Sequence, residues 1–237
     1  MKNMKKWNWT KILAIFVLIT LIVSIVYATI NLFLTPADAY LGEGEKTRGD
    51  YSLMIMQCLL GVIVLFLPSM LSKKMKFEIP DAMYIVFIIF LYCAIYLGEV
   101  QSFYYLIPNW DTILHTFSGA MLGGLGFSIV NLLNNNENVT LSMSPFFVAL
   151  FALSFAVFLG VVWEFYEFTA DSFGMNMQKT MLENGTPLEG HAAVADTMGD
   201  LFVDFLGALV IAIIGYISIR KKKGWMNKFE FKKVVNK

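Results

Sequence analysis

The sequence predicts an all-α integral membrane protein: a single bundle of six transmembrane helices, with both termini in the cytoplasm. Three observations carry that expectation. Six apolar runs, at about 9–34, 51–72, 82–106, 110–133, 144–172 and 196–219, match the roughly 20 residues that a helix needs to cross hydrocarbon. The composition agrees, with 57% of the 237 residues hydrophobic and only 15% charged, and a mean hydropathy of +0.64. A soluble domain of this size has no use for such runs in succession. The third observation is the placement of Lys and Arg. Four lie at the start (Lys2, Lys5, Lys6, Lys11), three between the second and third runs (Lys73, Lys74, Lys76), and eight follow the last run. With both termini inside, 15 of the 18 basic residues are cytoplasmic, which satisfies the positive-inside bias.

The first run resembles a signal peptide only superficially. Its apolar stretch from Ile12 to about Leu34 exceeds the 7–15 residues of a cleavable core, so a retained helix is expected. Trp7 and Trp9 stand where an interfacial aromatic belt begins, and Thr35-Pro36 ends the helix. A polar outer loop, Asp38 to Asp50, leads into a second helix from about Tyr51 that reads as scaffold. Pro80 is placed to start the third helix, which ends externally near Glu99-Val100-Gln101, with Ser102 to Leu106 as a continuation or lip. Pro108-Asn109 breaks the chain before the fourth helix at Trp110-Asp111. That helix carries Gly119-Ala120-Met121-Leu122-Gly123-Gly124, a small-residue pattern that admits a close neighbour, with Gly123 as its test position. An asparagine-rich inner loop (134–138) precedes the fifth helix, and the longest outer loop (172–195) precedes the sixth. Residues 220–237 form a basic cytoplasmic tail that reads as an anchor to anionic membrane lipid. Cys58 and Cys93 lie inside apolar runs and read as small buried hydrophobes. There is no nucleic-acid signature.

The chemistry is concentrated in acidic residues within these runs. Glu164, Glu167 and Asp171 fall within about 60° of arc on the fifth helix. Asp196, Asp200 and Asp204, spaced by four, form a stripe on the sixth that drifts about 40° per step. Asp111 and His115 share one face of the fourth. With Glu99, all of these lie toward the external ends of their helices, so the topology predicts a pocket open to the outer face. Trp110 and Trp163 accompany it. Between Phe77 and Ile219 there are thirteen carboxylates and one basic side chain, Lys179. Protein cations are therefore not expected to neutralise the cluster, which leaves protons, a bound metal ion or a cationic ligand. Asp111, His115, Glu164, Glu167, Asp171, Asp196, Asp200 and Asp204 are the candidate metal ligands. Carboxylates with imidazole form a ligand set suited to Mg, Mn, Fe or Zn, which the sequence does not separate, so a divalent metal cofactor of unspecified identity is one of the three expectations. His115, Glu164 and Glu167 are the candidate catalytic groups.

Plainer readings compete. Asp111 and Asp196 read equally well as helix N-caps, Asp171 as a solvated helix end, and His191 as an exposed loop residue. His115 alone reads as a hydrogen-bonded interior histidine. Glu164, Glu167, Asp200 and Asp204 resist that treatment because they sit inside apolar spans. HExxH, GxSxG and P-loop motifs are absent.

Trp110-Asp111-Thr-Ile-Leu-His115, Trp163-Glu164-Phe-Tyr-Glu167 and Asp196-Thr197-x-x-Asp200-x-x-x-Asp204-x-x-Gly207 together resemble the YjdF family of bacterial inner-membrane proteins. More distantly the pattern is similar to VanZ-like proteins, associated with glycopeptide resistance, where DxxxH, ExxQ and DxxxNxxG recur in that order. Glu167 stands for the Gln and Asp204 for the Asn of that pattern, and an Arg expected between the last two helices is missing. The resemblance spans about residues 95–215. It implies a bacterial plasma-membrane location and a site that matters, and supplies no reaction. Three functions stay open: a metal-dependent enzyme on a lipid or cell-envelope substrate, a cation- or proton-coupled carrier, and a non-catalytic envelope or assembly factor that binds a cationic partner.

Overall fold

The structure is a computed structural model that describes residues 8–36, 46–134, 143–180 and 186–233. It is all-α apart from one two-residue ladder, and six of its helices are long and apolar enough to span a membrane. The chain divides into two compact units, Met1–Met75 with Asp81–Ser102, and Lys76–Pro80 with Phe103–Lys237.

The first unit holds α1 (Trp9–Leu34), α2 (Arg48–Met75) and α3 (Asp81–Leu91), the last continuing as a π-helical stretch, Tyr92–Val100. Asn8 caps α1 by accepting the Lys11 N–H at 3.1 Å, and Thr35 ends it in an extended conformation that Pro36 imposes on the residue before it. Helix α2 starts three residues earlier than the hydropathy suggests, because Thr47-Arg48-Gly49-Asp50 is a capping box. The Thr47 hydroxyl accepts the Asp50 N–H at 3.2 Å, and the Asp50 carboxylate accepts the Thr47 N–H at 2.7 Å. The core is mainly apolar, with Val17, Leu21, Met54, Cys58, Leu65, Ile88 and Ile95 buried together and Ser24 and Gln57 buried on the same helices. Lys46 Nζ donates to the carbonyls of Glu99 and Val100, at 3.3 and 3.1 Å, and so covers the open end of the π-helical stretch. Burial there holds its ammonium below the usual lysine range, against the opposing pull of Glu99 and Asp50.

The second unit contains a short turn of helix, α4 (Phe103–Leu106), and the long helices α5 (Trp110–Asn134), α6 (Pro145–Asp171) and α7 (Ala195–Arg220). Ser144 caps α6, accepting the Phe147 N–H at 3.2 Å, with Pro145 in the first turn where its missing N–H costs nothing. Helices α5 and α7 run together at backbone contact: a Cβ on Gly119 would overlap the Asp204 carbonyl, and one on Gly207 would overlap the Thr116 carbonyl. Gly123, the position singled out in the sequence, is looser, since its Cβ would meet Ile211 at an ordinary 3.4 Å. The tight point of the small-residue seam is therefore one turn earlier.

Beyond α7 the chain turns through Lys222 and Gly224, both at positive φ. Its strand β2 (Lys232–Lys233) pairs antiparallel with β1 (Phe77–Glu78). Phe77 stacks on Phe231 at 4.6 Å, and Met226 is buried with Phe127, Val130 and Ala152. The basic tail thus has a folded beginning. Large side chains such as Phe158, Phe165, Phe202 and Val210 face outward on α6 and α7, as expected of helices solvated by lipid.

Candidate functional site

The site lies in the second unit, where α5, α6 and α7 bring their polar residues together. Each helix contributes at i, i+3 or i+4 spacing, so residues that are separated in sequence fall one above another along one face. The three aspartates of α7 stand in different surroundings.

Asp204 is the most buried, 2% exposed. Its Oδ1 accepts the Ser118 hydroxyl at 2.7 Å, and its Oδ2 lies 3.3 Å from His115 Nδ1. Gly160 of α6 makes room for this carboxylate, since a Cβ there would stand 2.7 Å from Oδ2. A carboxylate in its ionised form only accepts, so a neutral ring in this position carries its proton on Nδ1 and a lone pair on Nε2. Nε2 faces Asp111 Oδ1 at 3.7 Å and Asp200 Oδ2 at 3.9 Å. Both separations are beyond hydrogen bonding. Asp200 Oδ2 has no hydrogen-bond partner although the residue is buried. One donor atom each from Asp111, His115 and Asp200 lies within 4.8 Å of the other two.

Asp196 completes the stripe at the wider end. Its Oδ1 pairs with Lys179 Nζ at 2.8 Å, and the same ammonium pairs with Asp111 Oδ2. Burial disfavours the charged lysine, but Asp111 and Asp196 outweigh it and hold the ammonium above its ordinary range. The N-cap reading of Asp196 is not what the structure shows, for Val194 occupies that position and no side chain caps α7.

On α6, Glu164 Oε2 accepts from the Gln178 amide at 3.3 Å, while its Oε1 is buried without a partner. The same Gln178 nitrogen reaches Thr197 Oγ1 at 2.9 Å. Glu167 accepts the Trp163 indole N–H at 2.8 Å. Asp171 spends both oxygens on backbone N–H groups of the following loop, those of Met177 and Gln178. Trp110 packs edge-on against Phe103, with its Nε1 buried and unpartnered. Glu99 lies in the first unit, in the π-helical stretch beside Lys46. His191 is exposed.

Lys179 reaches the cluster at Asp111 and Asp196, although one ammonium does not neutralise the set of carboxylates there. The sequence did contain the signal, a lone basic residue among thirteen carboxylates, but the loop's path decides where it lands. Gln178 and Ser118 escaped notice, and Thr197 entered only as part of a motif, with no role. Neutral hydrogen-bonding residues in a helix or loop carry no pattern of their own until a partner is in reach.

Fold and site together define a multi-pass helical membrane protein with a largely buried Asp–His–Asp cluster. The chain belongs to the family described as "Predicted membrane protein (DUF2238)", whose pattern matches residues 10–221. It is 29% identical over 161 residues to an uncharacterized protein of Thermotoga maritima, covering 67% of this chain and 73% of that one. No solved structure matches.

Proposed function

We propose that Asp111, His115 and Asp200 hold a divalent cation, and that the protein uses it to act on a lipid or cell-envelope substrate at the outer face of a bacterial plasma membrane. The observation that carries this reading is Asp200 Oδ2, buried without a hydrogen-bond partner opposite a histidine nitrogen that Asp204 aims at it. A buried unpaired carboxylate oxygen is costly, and ligand bonds of about 2.0–2.4 Å set donor atoms roughly 3–4 Å apart, close to the separations here. Carboxylate, imidazole and ligand position form the arrangement that fixes a ligating histidine from behind. The membership of DUF2238 is consistent with the YjdF resemblance and with a plasma-membrane location.

In this reading Asp204 and Ser118 orient His115, and Asp171 orients the loop that carries Gln178 and Lys179. Glu164, with one free oxygen beside the cluster, is the group available to take or give a proton. Glu167 adds negative charge while it is tied to Trp163. A divalent ion bound there supplies Lewis-acid charge to a substrate oxygen. The non-catalytic alternative, a receptor for a cationic ligand, draws support from one observation: Asp111 and Asp196 already bind an ammonium, that of Lys179.

The deciding experiment is metal content and thermal stability of the purified protein. Wild type should carry or take up about one divalent ion per chain and melt higher in its presence, because a ligand that binds only the folded state stabilises it. Asp200→Asn should abolish both effects. Indifference of the wild type to chelator and to Mn2+, Zn2+ and Mg2+ would end the metal reading.

A further inference from the structure

Asp111 belongs to two groups at once. Its Oδ1 faces His115 Nε2, and its Oδ2 is held by Lys179. A divalent ion in the Asp111–His115–Asp200 cluster and an ammonium on the far oxygen of the same carboxylate stand one side chain apart, and like charges at that range repel strongly in a buried setting. One of the two partners has to be able to yield.

The structure shows which. The His115 and Asp200 side chains are each 8% exposed, whereas that of Lys179 is 43% exposed. The loop backbone beneath the lysine is fixed without help from its ammonium. Asp171 accepts the Met177 and Gln178 N–H groups, Gln178 bridges Glu164 and Thr197, and the Lys179 N–H donates to the Asn176 carbonyl at 3.2 Å. The ammonium can therefore leave Asp111 by rotation of its own side chain while the loop stays in place. Asp196 remains as its second partner, with Oδ2 buried and unpaired.

We propose that Lys179 is a tethered counter-ion that sets the affinity and charge selectivity of this cation site: it holds Asp111 until a divalent ion takes up that carboxylate, and then withdraws from it. The inference rests on the cation-site reading above. Its consequence is selectivity for ligands of higher charge, since a monovalent ion gains little by displacing an ammonium already in contact.

The test uses full-length protein in one detergent, with Mn2+ as the probe, as wild type, Lys179→Met and Lys179→Arg. Lys179→Met keeps the length and removes the charge, and it should bind Mn2+ at least tenfold more tightly than wild type. Lys179→Arg should stay within a few-fold of wild type. In the wild type, acetylation of the Lys179 amine, followed by mass spectrometry, should rise when Mn2+ saturates the site. Equal or weaker binding by Lys179→Met, or amine labelling that stays level or falls, overturns the proposal and makes Lys179 a fixed support for Asp111. Mn2+ binding by Lys179→Met alone would show the counter-ion at its strongest. Failure of every variant to bind Mn2+ would instead remove the cation site itself. Should Lys179→Met not fold, the labelling measurement on wild type decides alone.

Discussion

Asp204 is the residue on which the geometry of the site turns, because its oxygens meet Ser118 and His115 and so fix the histidine that faces two other carboxylates. Asp204→Asn keeps the shape but places an amide nitrogen against either Ser118 or His115. With the nitrogen toward the ring, Nδ1 becomes the acceptor and the proton moves to Nε2, where it blocks the ligand position. Metal affinity should fall by about 10- to 100-fold, as for other residues that orient a ligating histidine, while the helical circular dichroism is retained. Unchanged affinity would show that Nε2 is not a ligand. Glu167→Gln makes an instructive contrast. The amide oxygen can still accept the Trp163 indole N–H, so the melting temperature should hold, and metal affinity should fall only modestly, through lost charge. A collapse of stability in Glu167→Gln would identify Glu167 as a structural partner of Trp163 and nothing more.

At the scale of elements, the approach of α5 to α7 decides whether the cluster exists, because His115 and Asp111 come from one helix and Asp200 and Asp204 from the other. Gly119 and Gly207 permit backbone contact at the level of Asp204 and Thr116. A methyl group at either position has nowhere to go but into a main-chain carbonyl, and rigid backbone does not yield as a side chain would. Gly119→Ala and Gly207→Ala should each cost about 1–3 kcal/mol, in line with overpacking elsewhere, and should weaken metal binding by parting the two helices. Gly123→Ala, whose new methyl would meet Ile211 at 3.4 Å, should change the melting temperature little. Equal damage from all three would locate the close contact elsewhere along the pair.

At the scale of the whole molecule the expected topology fixes which side of the membrane the site serves. The split of 15 basic residues to 3 predicts cytoplasmic termini and an external segment between α6 and α7. Reporter fusions at Gly185, outside the described residues, should be active only where external reporters work. Activity of the cytoplasmic reporter there would reverse the orientation and move the site to the inner face. The pH response belongs to the same scale. Protons compete with a cation for carboxylate and imidazole donors, so the thermal shift given by a divalent ion should shrink as pH is lowered. A shift that grew on acidification would point to protonation, and not a metal, as the means by which the cluster is neutralised.

The sequence by itself determined the membrane class, the six apolar helices and the identity of the acidic residues. Each of these follows from hydropathy and helical spacing read along a single chain. It also held the Thr47–Asp50 capping box, a local signal that charge near the helix start obscured. It did not reveal the π-helical stretch, the ladder between Phe77–Glu78 and Lys232–Lys233, or the division of labour among the aspartates. Only the tertiary structure decided that Asp204 meets His115 and Ser118, Asp200 Oδ2 is left without a hydrogen bond, Asp196 takes a lysine and Asp171 ties down a loop. The reason is physical: spacing fixes which side chains share a helix face, but the partner each meets depends on how closely the helices approach and where the loop between them runs. Glycines at backbone contact set the first. The Asp171 carboxylate, holding two loop amides, sets the second, and with it the position of Lys179.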